Sequence, residues 1–80
     1  MYKDLLEYVV KNLVTNPDKV VVSEEQKEDS KLVLHLSVDS TDMGRIIGKE
    51  GRIIRSIREI INSYGMKNSQ KVLVDVEEKK

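Results

Sequence analysis

Apolar side chains fall into two rhythms along these 80 residues. Between residues 2 and 14, Tyr2, Leu5, Leu6, Val9, Val10 and Leu13 recur at helical spacing, with Asp4, Glu7 and Lys11 on the other side. That spacing predicts an amphipathic helix with one buried stripe. Asn16-Pro17 should end it, because the residue before a proline is pushed away from helical angles. Lys19 to Glu25 contains Val20-Val21-Val22 and then turns polar, which fits a short edge strand. Gln26 to Ser30 reads as a polar connection of hairpin length. Lys31 to Val38 alternates strictly, with Leu32, Leu34, Leu36 and Val38 facing one way and Val33, His35 and Ser37 the other. This predicts a strand with one buried face. Val72, Val74 and Val76 alternate with Lys71, Leu73, Asp75 and Glu77 in a third strand of the same kind.

Helical spacing returns between the second and third strands. Asp39, Ser40 or Thr41 can cap a short helix reaching about residue 47. The turn Gly48-Lys49-Glu50-Gly51 follows, then a longer helix from Arg52 to about Ser63. Its residues Ile53, Ile54, Ile57, Ile60, Ile61 and Tyr64 fill about 120° of the helical wheel at roughly 100° per residue. Arg52, Arg55, Arg58, Glu59 and Asn62 take the opposite side. The isoleucines read as core, and Gly65 as a left-handed stop. The order α-β-β-α-α-β predicts an α+β fold of two layers, with three strands under three helices. One domain should span 1–80, with an ordered core over about 2–77.

Composition narrows the picture. Aromatic residues make up 4% and Phe and Trp are absent, so Val, Leu and Ile must build the core. A chain of this size should expose roughly 4,900 Å² folded against roughly 13,000 Å² unfolded. That allows one thin core and no deep catalytic cavity. Cysteine is absent, which excludes disulfides, thiolate nucleophiles and zinc–sulfur sites. No signal-peptide pattern and no membrane span is present, so a cytoplasmic protein with no membrane association is expected.

Fourteen basic and fourteen acidic side chains give a formal net charge of zero, which taken alone argues against nucleic acid. The charge is unevenly placed. Between Met43 and Arg58 stand five basic residues (Arg45, Lys49, Arg52, Arg55, Arg58) and one acidic residue (Glu50), a net of +4, so the rest sums to −4. A dipolar molecule of this kind can present a local phosphate-binding surface. Gly48 and Gly51 let the backbone turn tightly and let a sugar–phosphate chain approach. The turn leads into a helix N-terminus, where free N–H groups and the helix dipole favour an anion. A plainer reading makes the arginines a solvated helix face; the glycine turn between two helices weighs for the phosphate site.

The run Asp42-Met43-Gly44-Arg45-Ile46-Ile47-Gly48-Lys49-Glu50-Gly51-Arg52-Ile53-Ile54-Arg55-Ser56-Ile57-Arg58 resembles the core signature of K-homology (KH) domains. The element order resembles their type II arrangement, and the chain as a whole is similar to the bacterial KhpA family of small RNA-binding proteins. The resemblance implies a three-stranded mixed sheet covered on one face by three helices. It also implies that about four nucleotides of single-stranded RNA lie in an apolar groove beside the loop. Gly48, Lys49, Glu50 and Gly51 would meet the RNA backbone. Arg45, Ile46 and Ile47 would line the groove wall, with Arg52 and Arg55 at the helix start. The family further implies an RNA chaperone linked to cell shape and elongation, homodimerisation, and pairing with a larger KH-containing protein of the KhpB kind.

Other chemistry is thin. Gly44-x-x-x-Gly48-Lys49 is one residue short of a nucleotide-binding P-loop, and Glu50 stands where the magnesium-holding hydroxyl would be. His35 has neither a cysteine nor a second histidine for a metal site, and no triad pattern surrounds it. Glu24-Glu25 and Glu77-Glu78 are adjacent, so on strands they point to opposite faces. No enzyme, cofactor or metal is expected. The alternative function is a protein-interaction or dimerisation module, using Tyr64, Met66 and the isoleucine helix, with weak binding of nucleic acid including single-stranded DNA.

Overall fold

The computed structural model describes residues 2–28 and 30–79. Its elements run α1 (Tyr2–Lys11), β1 (Val21–Glu28), β2 (Lys31–Asp39), α2 (Met43–Ile47), α3 (Arg52–Lys67) and β3 (Lys71–Lys79). The sheet order is β1-β2-β3, with β2 antiparallel to β1 and parallel to β3. A parallel pair needs a long crossover, and α2, the glycine turn and α3 supply it. The fold is the expected α+β arrangement of a mixed three-stranded sheet with three helices.

The strict alternation in β2 has a simple physical outcome. Leu32, Leu34, Leu36 and Val38 are all buried, three of them completely, because β2 is central and the helices cover that face. Val22 of β1 and Val72 and Val74 of β3 extend the same surface. Leu6 and Val10 from α1, Ile46 from α2, and Ile54, Ile57 and Ile61 from α3 complete the core. Each such side chain contributes about 1.5–3 kcal/mol of burial. The total surface, 5231 Å², lies close to what chain length demands.

Several boundaries differ from the sequence expectation. α1 ends at Lys11, well before Asn16-Pro17, and Leu13 lies outside it and exposed. The backbone N–H groups of Thr15 and Asn16 turn instead to the carboxylate of Asp42, 2.9 and 3.0 Å away. β1 continues through Gln26 to Glu28 and pairs Glu28 with Lys31 across a bulge, so the polar hairpin connection is mostly strand. Its outer half is exposed on both faces because no apolar residue there faces the helices. Asp29 of that connection lies outside the described residues.

Gly65 does not stop the long helix. It lies inside α3, buried, where an added Cβ would fall 2.6 Å from Cγ2 of Val72 and 2.7 Å from the carbonyl oxygen of Gln70. Glycine is there to let β3 enter against the helix. The left-handed residue is Ser69, at φ 56°. The isoleucine stripe is also split: Ile54, Ile57 and Ile61 are buried, while Ile53 and Ile60 are 37% and 54% exposed. Among the described residues, no helix is long and apolar enough to cross a membrane.

Candidate nucleic-acid interface

Gly48 ends α2 with φ 72° and ψ −179°, a conformation that disfavours any side chain. A Cβ there would also lie 2.6 Å from Cγ1 of Ile53. Lys49 to Gly51 form a single 3-10 turn in which Glu50 takes φ 59° and Gly51 φ 73°. Three residues out of four thus hold positive φ, and the chain reverses within one turn. Gly51 then opens α3 with no side-chain cap. The N–H of Arg52 donates to the Lys49 carbonyl oxygen, the next N–H groups of that 16-residue helix have no intrahelical acceptor, and its positive dipole end lies at the same place.

Around this turn the basic side chains are exposed. The side chains of Arg45 and Arg52 are 60% and 75% exposed, and Lys49 and Arg55 are also at the surface. Glu50 leans toward Arg52, with Oε2 3.6 Å from Nη2, so it partly offsets one of the charges at the helix start. Ile47, 38% exposed, offers apolar surface beside the loop. Ile46 does not: it is completely buried and supports α2 from behind. Of the sequence-predicted set, Gly48, Lys49, Glu50, Gly51, Arg52, Arg55, Arg45 and Ile47 are thus brought to one end of the helical layer, and Ile46 to the core.

Two features escaped the sequence reading. The first is the position of a shallow groove of about 540 Å³, between α3 and the free edge of β3, which the expected wall residues Arg45, Ile46 and Ile47 do not line. Arg55 and Arg58 wall it on the helix side, and Val33, Leu73 and Asp75 on the sheet side. Nε of Arg58 donates to the Val74 carbonyl oxygen at 3.1 Å, which pins the guanidinium to the strand edge. The signal was present: Arg55 and Arg58 are three apart on α3, and alternation sends Leu73 and Asp75 away from the core.

The second is Asp42, the one charged side chain buried among the described residues. It sits at the start of α2 without capping that helix. Its oxygens instead accept from the backbone N–H and hydroxyl of Thr15, at 2.9 and 2.8 Å, and from the backbone and side-chain N–H of Asn16, at 3.0 and 3.1 Å. The Thr15 backbone amide leads the group of donors that holds its pKa down to about 2 despite burial. The carboxylate ties the α1–β1 connection to the helix that carries Arg45. Of the three residues expected to cap this region, Asp39 does so, accepting from the Thr41 amide at the preceding 3-10 turn.

A mixed sheet whose parallel strands are joined by helix, Gly-x-x-Gly turn and helix is the architecture of a K-homology domain. The family model described as "KhpA/KhpB, KH domain" matches residues 3–76, and the chain belongs to that family. The protein named RNA-binding protein KhpA from Clostridium acetobutylicum is 45% identical over 74 residues, covering 92% of this chain and 97% of that one. Its namesakes from Listeria monocytogenes and Aquifex aeolicus are each 41% identical over 74 residues, covering 92% of this chain and 96% and 92% of theirs. Among solved structures, Era in complex with MgGDPNP and nucleotides 1506–1542 of 16S ribosomal RNA superposes with a TM-score of 0.66. The identity is 17%, and the match covers 96% of this chain but 29% of that longer one, so the likeness is one of fold.

Proposed function

We propose that this chain binds single-stranded RNA, with the phosphates held at the Gly48–Gly51 turn and the bases laid along the groove beside α3. The observation that carries this reading is the junction itself, where an uncapped helix N-terminus opens directly from a side-chain-poor turn ringed by Lys49, Arg52 and Arg55. Backbone amides and the helix dipole bind an anion without regard to sequence, and the long basic side chains add charge that follows the phosphates. Arg45 and Ile47 flank the entrance. The groove offers aliphatic surface (Val33, Leu73) for bases, with Arg55 and Arg58 above it. Binding, without turnover, is the activity assigned.

Recognition of this kind is mostly electrostatic and weakly selective. If three or four phosphates are neutralised, log affinity falls with log salt at a slope of about −2 to −3. The finer reading is a cytoplasmic RNA chaperone that acts as a homodimer or with a larger KH-containing partner of the KhpB kind, in the control of cell shape. Paired sites would raise a modest single-domain affinity through effective concentration. The exposure of Tyr8, Ile60 and Met66, at 70%, 54% and 68%, favours a second reading in which contact with a protein is the main role.

Replacing Lys49 and Glu50 together with aspartate separates the two. Loss of RNA crosslinking with the protein partner retained supports RNA binding as the function. Unchanged crosslinking overturns it. Single-stranded DNA of the same sequence, titrated alongside, measures how far the 2′-hydroxyl contributes.

A further inference from the structure

The helices cover one face of the sheet, and the other carries a cluster of three side chains, of which Asp75 also borders the groove beside α3. The register sets His35 of β2 directly beside Asp75 of β3, with Glu77 two residues further along the same strand. One ligand atom from each of these three side chains lies within 4.8 Å of the other two. Adjacent carboxylates on a strand point to opposite faces, but Asp75 and Glu77 are two apart and share one.

The two ring nitrogens of His35 have different surroundings. Nε2 is 2.9 Å from Oε1 of Glu25 on β1. An ionised carboxylate only accepts, so the neutral imidazole carries its proton on Nε2 and its lone pair on Nδ1. Nδ1 then faces Oδ2 of Asp75 at 3.5 Å, a lone pair directed at an anionic oxygen. Such a juxtaposition is favourable when a cation lies between the two atoms, either a proton on Nδ1, which the neighbouring carboxylates Glu25 and Asp75 favour, or a metal ion that replaces it. Among residues 2–28 and 30–78, no lysine or arginine lies within salt-bridge distance of Asp75 or Glu77.

We propose that Nδ1 of His35 and the carboxylates of Asp75 and Glu77 form a binding site for a divalent transition-metal cation of the zinc type, with Glu25 orienting the imidazole. One imidazole and two carboxylates suit Zn²⁺ and its neighbours, whereas Mg²⁺ and Ca²⁺ favour all-oxygen sets. Metal–ligand bonds of about 2.0–2.2 Å place tetrahedral ligands about 3.4 Å apart. The exposed Asp75 and Glu77 side chains reach that spacing by rotation, and water completes the shell. Glu25 has the role of the second-layer carboxylate that fixes a metal-binding histidine in one tautomer. The ion would link β2 to β3, and through Glu25 to β1, on the face that no helix braces.

The test is a Zn²⁺ titration of the full chain, followed by the ¹⁵N signals of the His35 ring and by calorimetry. The expected result is saturation at one equivalent, with Nδ1 shifting while Nε2 keeps its proton. His35→Asn and Asp75→Asn should each abolish the saturable phase, and Glu25→Ala should weaken it about 10–100-fold. Glu24→Gln, an exposed carboxylate outside the trio, should change nothing. Three outcomes overturn the proposal: no saturation at one equivalent, equal competition by Mg²⁺, or a loss on Glu24→Gln matching that on Asp75→Asn. If a variant fails to fold, the wild-type ring signals decide.

Discussion

Two glycines in helices of this protein should respond to the same substitution with opposite sign. Gly→Ala inside a helix removes backbone entropy from the unfolded chain and ordinarily gains about 0.4–1 kcal/mol. At Gly44 in α2 an added Cβ would meet nothing within 4 Å, so Gly44→Ala should be neutral or raise the melting temperature by a few degrees. At Gly65 the Cβ would lie 2.6 Å from Val72 Cγ2 and 2.7 Å from the Gln70 carbonyl oxygen, about 1 Å inside ordinary van der Waals separation. Neither neighbour yields cheaply. Val72 is 2% exposed within the core, and the Gln70 backbone is held by its own N–H donating to the Gly65 carbonyl at 2.9 Å. Forcing β3 away from α3 should cost about 3 kcal/mol, at the upper end for overpacking. Less the helix gain, the net loss is about 2 kcal/mol, or about 8–16 °C for a domain of this size. Thermal melts followed by circular dichroism, with urea titrations to confirm an unchanged slope, measure both variants. A Gly65→Ala protein melting at or above the parent would refute the steric account.

Glu50→Lys should raise RNA affinity at low salt and steepen the salt slope by about 0.7, one further phosphate; an unchanged or weaker affinity counts against the loop as the contact. Asp42 should shape the acid limb of stability. Its folded pKa of about 2 lies below the ordinary aspartate value of 3.8, so its contribution is complete above about pH 4 and is lost as pH falls through 2. Asp42→Asn should therefore flatten that loss in urea titrations between pH 2 and 5. Ile46→Ala should cost about 2–5 kcal/mol, as a buried truncation, whereas Ile47→Ala next to it should cost under about 1 kcal/mol. Equal losses would mean that α2 is rotated from the orientation described.

What could be read from the residues alone was whatever depends on local geometry. Strict alternation from Leu32 to Val38 determines a strand with one buried face, because the strand period is two whatever the strand packs against. Gly48 and Gly51 mark a turn because positive φ disfavours other residues wherever it occurs. The basic cluster around them depends only on sequence position, and with the glycines it marks the proposed phosphate site. Matters that join distant segments were decided by the tertiary structure. Which isoleucines of α3 are buried depends on where α1 and the sheet meet the helix, so Ile60 is exposed although its spacing matches Ile57 and Ile61. α1 does not run on to Asn16-Pro17, because Asp42, far along the chain, takes the amides of Thr15 and Asn16. Gly65 is a packing glycine because β3 returns against it, and nothing within its own helix signals that. The groove along β3 and the grouping of His35 with Asp75 and Glu77 both follow from the parallel pairing of β2 with β3. Local propensity places residues on faces; only the register between strands decides which faces meet.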